Sequence, residues 1–317
     1  MPGSGSKAAT KLAGVVIVSV ALVFVARQLV SGHVAHLLVA QGPLILAALL
    51  AGVVVYTLGT FVLAAAWHGL LGNLSFGEAM SLYGRSQIAK YVPGNIAHFA
   101  WRHALGRAAN MGHTELAGVA VLEFLSLIAA ATTFALVGSA VLGVAADVPT
   151  LLGMQGTTRI MLLAAGAVLA ACGAGWTLRR RGRWPTIPWS QLARSYGLHL
   201  LFFAMCGLIL LGVASAVKGP EPLPGLLPTV SIAALAWLAG FVTPGASAGI
   251  GVREACLILL LKPSLGPDAA ALAAVVYRIV TILGDVACFG FATVLPRRFL
   301  QSRTERVNDF DTASRAS

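Results

Sequence analysis

Residues 241–255 read Phe241-Val242-Thr243-Pro244-Gly245-Ala246-Ser247-Ala248-Gly249-Ile250-Gly251-Val252-Arg253-Glu254-Ala255. A helix-breaking pair interrupts an apolar run, and an arginine follows nine residues after the proline. Proline lacks the amide donor and disfavours helix in the residue before it, while glycine permits the turn that follows. The run on both sides, 225–263, therefore reads as two short helical pieces rather than one crossing. Within a membrane such a break is tolerated only where protein or water covers the freed backbone groups. The simplest geometry is a re-entrant hairpin with its tip near midplane, formed by Pro244, Gly245, Gly249 and Gly251. A helix kink, or a loop outside the membrane, is the plainer alternative.

The same pattern stands earlier in the chain. Tyr91-Val92-Pro93-Gly94-Asn95 divides the stretch 76–110, and Arg102 again follows its proline by nine residues. The predicted tip here is Pro93, Gly94 and Asn95. His98 and Arg102 are spaced i, i+4, so they share a helical face.

The surrounding composition identifies the solvent. Of 317 residues 58% are hydrophobic, and mean hydropathy is +0.85. Only 10% are Asp, Glu, Lys or Arg, against about 25% in an average soluble domain. A soluble surface cannot be built from so few charges. That excludes a soluble enzyme, a secreted disulfide scaffold and a disordered chain. The net charge of +11 is strung between apolar runs. This suits membrane topology signals and not a nucleic-acid patch. Cys172, Cys206, Cys256 and Cys288 are far apart and read as small core hydrophobes. His33 and His36 have helical metal-ligand spacing, but they fall in a predicted outer loop without a third ligand. No metal or cofactor is expected. No phosphate-binding P-loop occurs, so ATP-driven pumping by this chain alone is excluded.

A helix needs about 20 apolar residues to cross a bilayer. Six crossings are predicted, roughly 12–31, 44–71, 116–146, 160–178, 196–217 and 269–295. With the N-terminus inside, fifteen Lys and Arg fall on the inner side and four on the outer, while Arg102, Arg253 and Arg278 lie at membrane depth. This asymmetry obeys the positive-inside rule, and it accounts for the basic cluster Arg179-Arg180-Arg181-Gly182-Arg183. The first hairpin then opens to the cytoplasm and the second outward. The expected fold is an all-α integral membrane protein of six crossings plus two re-entrant hairpins in an inverted repeat. One transmembrane domain spans 12–297, with halves at about 12–146 and 160–295. The tails 1–11 and 298–317 are expected in the cytoplasm, and the domain in the cytoplasmic membrane. Trp67, Trp101, Trp184, Trp189 and Tyr196 suit interface belts. Inverted repeats with broken helices are a transporter architecture.

Charges at membrane depth cost about 2.5–3.5 kcal/mol each on insertion scales. Arg102, Glu123, Arg253, Glu254, Arg278 and Asp285 should therefore face protein or a wet cavity. Arg278, Thr281 and Asp285 share one helical face by spacing. One reading is a cavity where arginines bind a lipid phosphate and carboxylates position them, with His98 beside the headgroup. The other is ion pairs that only lock helices, Asp285 with Arg278 and Glu254 as a structural partner.

The stretch Phe241–Ala255, followed by Tyr277-Arg278 and Gly284-Asp285, resembles the signature of the lysylphosphatidylglycerol synthase transmembrane (flippase-like) family. Tyr91–Asn95 through Arg102, then Glu123, resembles its first-half motif. The resemblance covers about residues 10–297. The larger synthases of that family add a cytoplasmic aminoacyl-transferase domain, whereas this chain continues only about 20 residues past its last predicted helix. The resemblance thus implies lipid translocation without lipid aminoacylation. The expected ligands are membrane lipids with an anionic or phosphate headgroup: aminoacyl-phospholipid, polyprenyl phosphate or lipid-linked sugar. Envelope-biosynthesis proteins are the possible protein partners, and no nucleic acid is expected. Two other functions stay open: a membrane transferase using His98 or Glu123 as base, and a non-transporting subunit of an envelope assembly.

Overall fold

The computed structural model describes residues 32–71, 74–91, 97–142, 187–219, 223–243 and 249–294. Among these residues every regular element is helical. The order is α1 (Gly32–Leu70), α2 (Phe76–Gln87) with a 3₁₀ turn (Ile88–Tyr91), α3 (Ala97–Ala108) and α4 (His113–Leu142), then α5 (Trp189–Lys218), α6 (Leu226–Val242), α7 (Val252–Leu265) and α8 (Pro267–Val294). A long helix, two short ones and a long one thus occur twice. The short pairs flank the two Pro-Gly breaks.

Among the described residues four helices are long and apolar enough to cross a membrane: Val39–Leu70, His113–Gly138, Trp189–Lys218 and Pro267–Val294. They match the predicted crossings 44–71, 116–146, 196–217 and 269–295. The predicted crossings 12–31 and 160–178 lie outside the described residues, as do both tails. His33 and His36 fall inside α1 and not in a loop. No charge interrupts 32–43, and Pro43 is accommodated within the helix at the loss of one backbone hydrogen bond.

Local chemistry sets several helix ends. Ser75 and Glu78 form a reciprocal capping box at the start of α2. Gly266, at φ +81°, ends α7, and Pro267 then opens α8, where its missing amide costs nothing. Outward faces are apolar. Leu46, Leu50, Val54 and Leu58 run down one exposed stripe of α1, and Ile279, Ile282, Leu283 and Val286 do so on α8. Such stripes suit lipid and not water, as the outer faces of membrane-spanning helices do.

The core is closed by small residues that let helices approach. Ala269 to Ala271 and Ala273 to Ala274 are all buried on α8. Gly284 of α8 lies against the Tyr56 ring of α1, where an added Cβ would stand 2.5 Å from Cδ1. Gly207 of α5 faces the backbone of Val230 on α6, with 2.5 Å from an added Cβ to the Val230 Cα. Close packing of this kind is what holds helices together where lipid removes the hydrophobic drive between them.

Candidate functional site

Among the described residues four cations and three carboxylates meet in the interior, from four helices and the turn before the first break. The deepest pair joins α3 to α4. Arg102 is 3% exposed and Glu123 is 1% exposed. The Arg102 Nη1 donates to Glu123 Oε1 at 2.7 Å and to Oε2 at 2.6 Å, and its Nε donates to Ser86 Oγ at 3.1 Å. The Tyr83 hydroxyl adds a donor to Oε1 at 3.1 Å. The guanidinium lies 3.8 Å from the Tyr83 ring centre, with Trp67 at 5.4 Å and Phe99 at 5.6 Å. Trp67 is therefore not part of an interface belt; it is 2% exposed and walls in this arginine. Trp101 and Trp189 do face outward, at 53% and 83% exposed.

The second pair joins the first break to α8. Lys90 Nζ lies 2.5 Å from Asp285 Oδ1, and the Tyr91 hydroxyl donates to Oδ2 at 2.6 Å. Tyr56 and Gln87 each stand 3.4 Å from the same ammonium. Lys90 is thus an interior charge and not a topology signal at the cytoplasmic surface. Asp285 pairs with Lys90 and Tyr91 in place of the expected Arg278.

The third pair lies after the second break. Glu254 Oε1 is 3.1 Å from Arg278 Nε, and Oε2 accepts from the Gly251 N–H at 2.5 Å. Gly251 and Gly249 take φ of +84° and +71°, which L side chains rarely adopt. At Gly249 the chain also passes so close to Gly240 that a Cβ there would stand 2.9 Å from the Gly240 Cα. These two glycines bring the arms of the second break together and aim the Glu254 carboxylate at the helix start. The tip residues Pro93, Gly94, Asn95, Pro244 and Gly245 lie outside the described residues.

Arg253 is the remaining cation. It has no carboxylate partner among the described residues, and its buried Nε has no hydrogen-bond acceptor. Its guanidinium stands 5.7 Å from the Trp237 ring centre. It borders two small adjoining cavities, which share Arg253, Arg278, Trp237 and Thr281 as lining residues. The larger one also takes Lys90, Tyr91, His98 and Phe99 from the first break, Phe241 from the second, and Glu123 and Asp285. Residues flanking both breaks therefore line one space. Arg278, Thr281 and Asp285 all reach it from one face of α8, as their spacing predicts. His98 reaches it with a buried Nδ1 that has no hydrogen-bond partner. Arg102 is held beneath it by Glu123.

A run of aromatic contacts follows the wall: Phe99 to Phe124, Phe124 to Phe241, Phe241 stacked on Trp237 at 4.6 Å, Trp237 to Phe203, Phe203 to Phe202 and Phe202 to Tyr56. Sequence reasoning missed this wall, together with Lys90, Tyr56 and Trp237. Lys90 carried one usable signal: it stands three residues before Pro93, too near the break to be a surface charge. Among the described residues no group of three His, Cys, Asp or Glu is placed to hold a metal ion. No protein-family model matches this sequence, and no curated protein matches it.

Proposed function

We propose that this chain is a flippase that moves a phosphate-bearing lipid across the cytoplasmic membrane. The observation that carries the reading is Arg253, a cation with no carboxylate partner among the described residues, facing a cavity lined by residues that flank both Pro-Gly breaks. An interior guanidinium needs an anion, and a phosphate matches its planar fork. In this reading only the phosphate end of the lipid enters the space, and the acyl or prenyl chains stay in the bilayer. In this reading the two breaks are re-entrant hairpins of an inverted repeat with six crossings. The first opens to the cytoplasm, the second outward, and both termini are cytoplasmic. The family resemblance of the two motifs points the same way.

The interior residues divide by role. Arg253 and Arg278 contact the phosphate from the second half, and Lys90 reaches it from the first. Arg102 and Glu123 are a fixed pair that holds α3 on α4. Glu254 orients Arg278, and Asp285 holds Lys90 when the headgroup is absent. The energy source is an ion gradient, the lipid's own gradient or a partner protein of envelope biosynthesis. Reconstitution tests the proposal. Liposomes carrying the purified chain and fluorescent phospholipids should show faster bleaching of inner-leaflet label than empty liposomes, and Arg253→Gln should abolish the difference. Equal rates with and without protein, across anionic lipids, would remove the proposal.

One observation favours a second reading. The unpartnered Nδ1 of His98 in the cavity suits a general base in a lipid-headgroup transferase. Under that reading His98→Gln abolishes lipid turnover; under the flippase reading it leaves translocation largely intact.

A further inference from the structure

Among the described residues every interior carboxylate oxygen stands against a donor or a cation, although Glu254 Oε1 makes no hydrogen bond and meets Arg278 only as an ion pair at 3.1 Å. Both oxygens of Glu123 are taken by Arg102, those of Asp285 by Lys90 and Tyr91, and those of Glu254 by Gly251 and Arg278. The other described carboxylates, Glu78, Glu115 and Asp268, sit in the first turns of α2, α4 and α8. Asp147, Glu221, Glu305, Asp309 and Asp311 lie outside the described residues. None of these five falls in the breaks 92–96 and 244–248 or in the predicted crossings 12–31 and 160–178. Among the described residues four cations stand against three interior carboxylates, and Arg253 is the one left over.

Several aromatic faces are taken too. An ammonium group can be held by aromatic rings instead of carboxylates. Here the chain's own cations stand over six of the rings. Arg253 lies over Trp237, Lys90 over Tyr56 and Tyr91, Arg278 over Tyr91, and Arg102 over Trp67, Tyr83 and Phe99. A positive headgroup entering this space meets Arg253 with no spare negative charge to offset it, in surroundings where charge repulsion is poorly screened.

Resting on the flippase reading, we infer that the cavity selects a phosphate ester that carries no ammonium group, and that it rejects aminoacylated phospholipid. The ligand chemistry is a phosphate monoester or diester whose remaining headgroup is neutral. Aromatic walls beside the guanidinium suit an apolar or sugar substituent on that phosphate.

Phosphatidylglycerol and lysyl-phosphatidylglycerol form the deciding pair, because they differ only by the aminoacyl group. Binding to the full chain in phosphatidylcholine nanodiscs is measured by native mass spectrometry, with inorganic phosphate as a third probe. Phosphatidylglycerol should bind at least ten-fold more tightly than its lysyl ester. Arg253→Gln should reduce that ratio to near one, and Arg253→Lys, which keeps the charge, should preserve it; the second variant serves if the first does not fold. Inorganic phosphate that displaces the lipid at equal affinity supports the same chemistry with a free anion as its source. Equal or tighter binding of the lysyl ester overturns the inference, and so does failure of all three probes to bind. The liposome assay separates this from the parent reading. Selective binding without translocation retains the selectivity and removes the flippase, whereas equal translocation of both lipids does the reverse.

Discussion

Removing Glu123 tests whether the Arg102 pair is structural. Both side chains are almost wholly buried, at 3% and 1% exposed, with two contacts of 2.6 and 2.7 Å between them. Glu123→Ala leaves the guanidinium with Ser86 Oγ and the rings of Tyr83, Trp67 and Phe99. These cannot neutralise it. Breaking a buried pair from one side costs about 3–5 kcal/mol. On the scale of about 2–4 °C per kcal/mol for larger chains, the melting temperature should fall by about 6–20 °C. Replacing both partners with apolar residues of similar size, Arg102→Met with Glu123→Leu, removes the stranded charge and should recover most of the loss. The assay is thermal unfolding in a mild detergent, followed by tryptophan fluorescence, on wild type, both single variants and the double variant. A double variant as unstable as the sum of the single ones would refute the reasoning, since independent contributions leave no coupling between the two sites.

Lys90→Met and Asp285→Ala should each destabilise by about 3–5 kcal/mol, and the swapped pair Lys90→Asp with Asp285→Lys should be more stable than either, as read by the same melts. Gly207→Ala places a methyl against the Val230 backbone and should cost about 1–3 kcal/mol. Gly212→Ala has nothing within 4 Å and should be neutral or stabilising by up to about 1 kcal/mol. Cysteines placed at Ser6 and Ser302 should be protected from impermeant thiol reagents in intact cells while one at Ser31 is labelled. A labelled Ser302 with a protected Ser6 would end the inverted-repeat topology.

Much of this architecture is legible in the one-dimensional pattern. Apolar runs placed α1, α4, α5 and α8, because length and apolarity suffice for a lipid-facing helix. Both chain breaks were marked by Pro-Gly, since backbone chemistry there is local. The gathering of Arg253, Glu254, Arg278 and Asp285 followed from the cost of leaving charge in lipid. The choice of partners did not follow. Asp285 takes a lysine 195 positions away over the arginine two turns before it on its own helix, because α2 packs beside α8 and brings the 3₁₀ turn with it. The aromatic wall has the same origin: Phe99, Phe124, Phe241 and Phe203 come from four helices. No periodicity links them.

The two ion pairs also set an order for building the molecule. Arg102 and Glu123 are 21 residues apart, so both emerge from the ribosome within one short stretch of synthesis. α3 is too short and too polar to enter lipid alone, and it gains its counter-charge as soon as α4 arrives. Lys90 meets Asp285 only after 195 further residues have been made. Until then its ammonium has to stay in water or among headgroups, and α2 with it. The contact between the 3₁₀ turn and α8 is therefore made last, when α8 arrives and carries Asp285 to Lys90, so that a chain truncated before α8 would leave the Lys90 charge without its carboxylate.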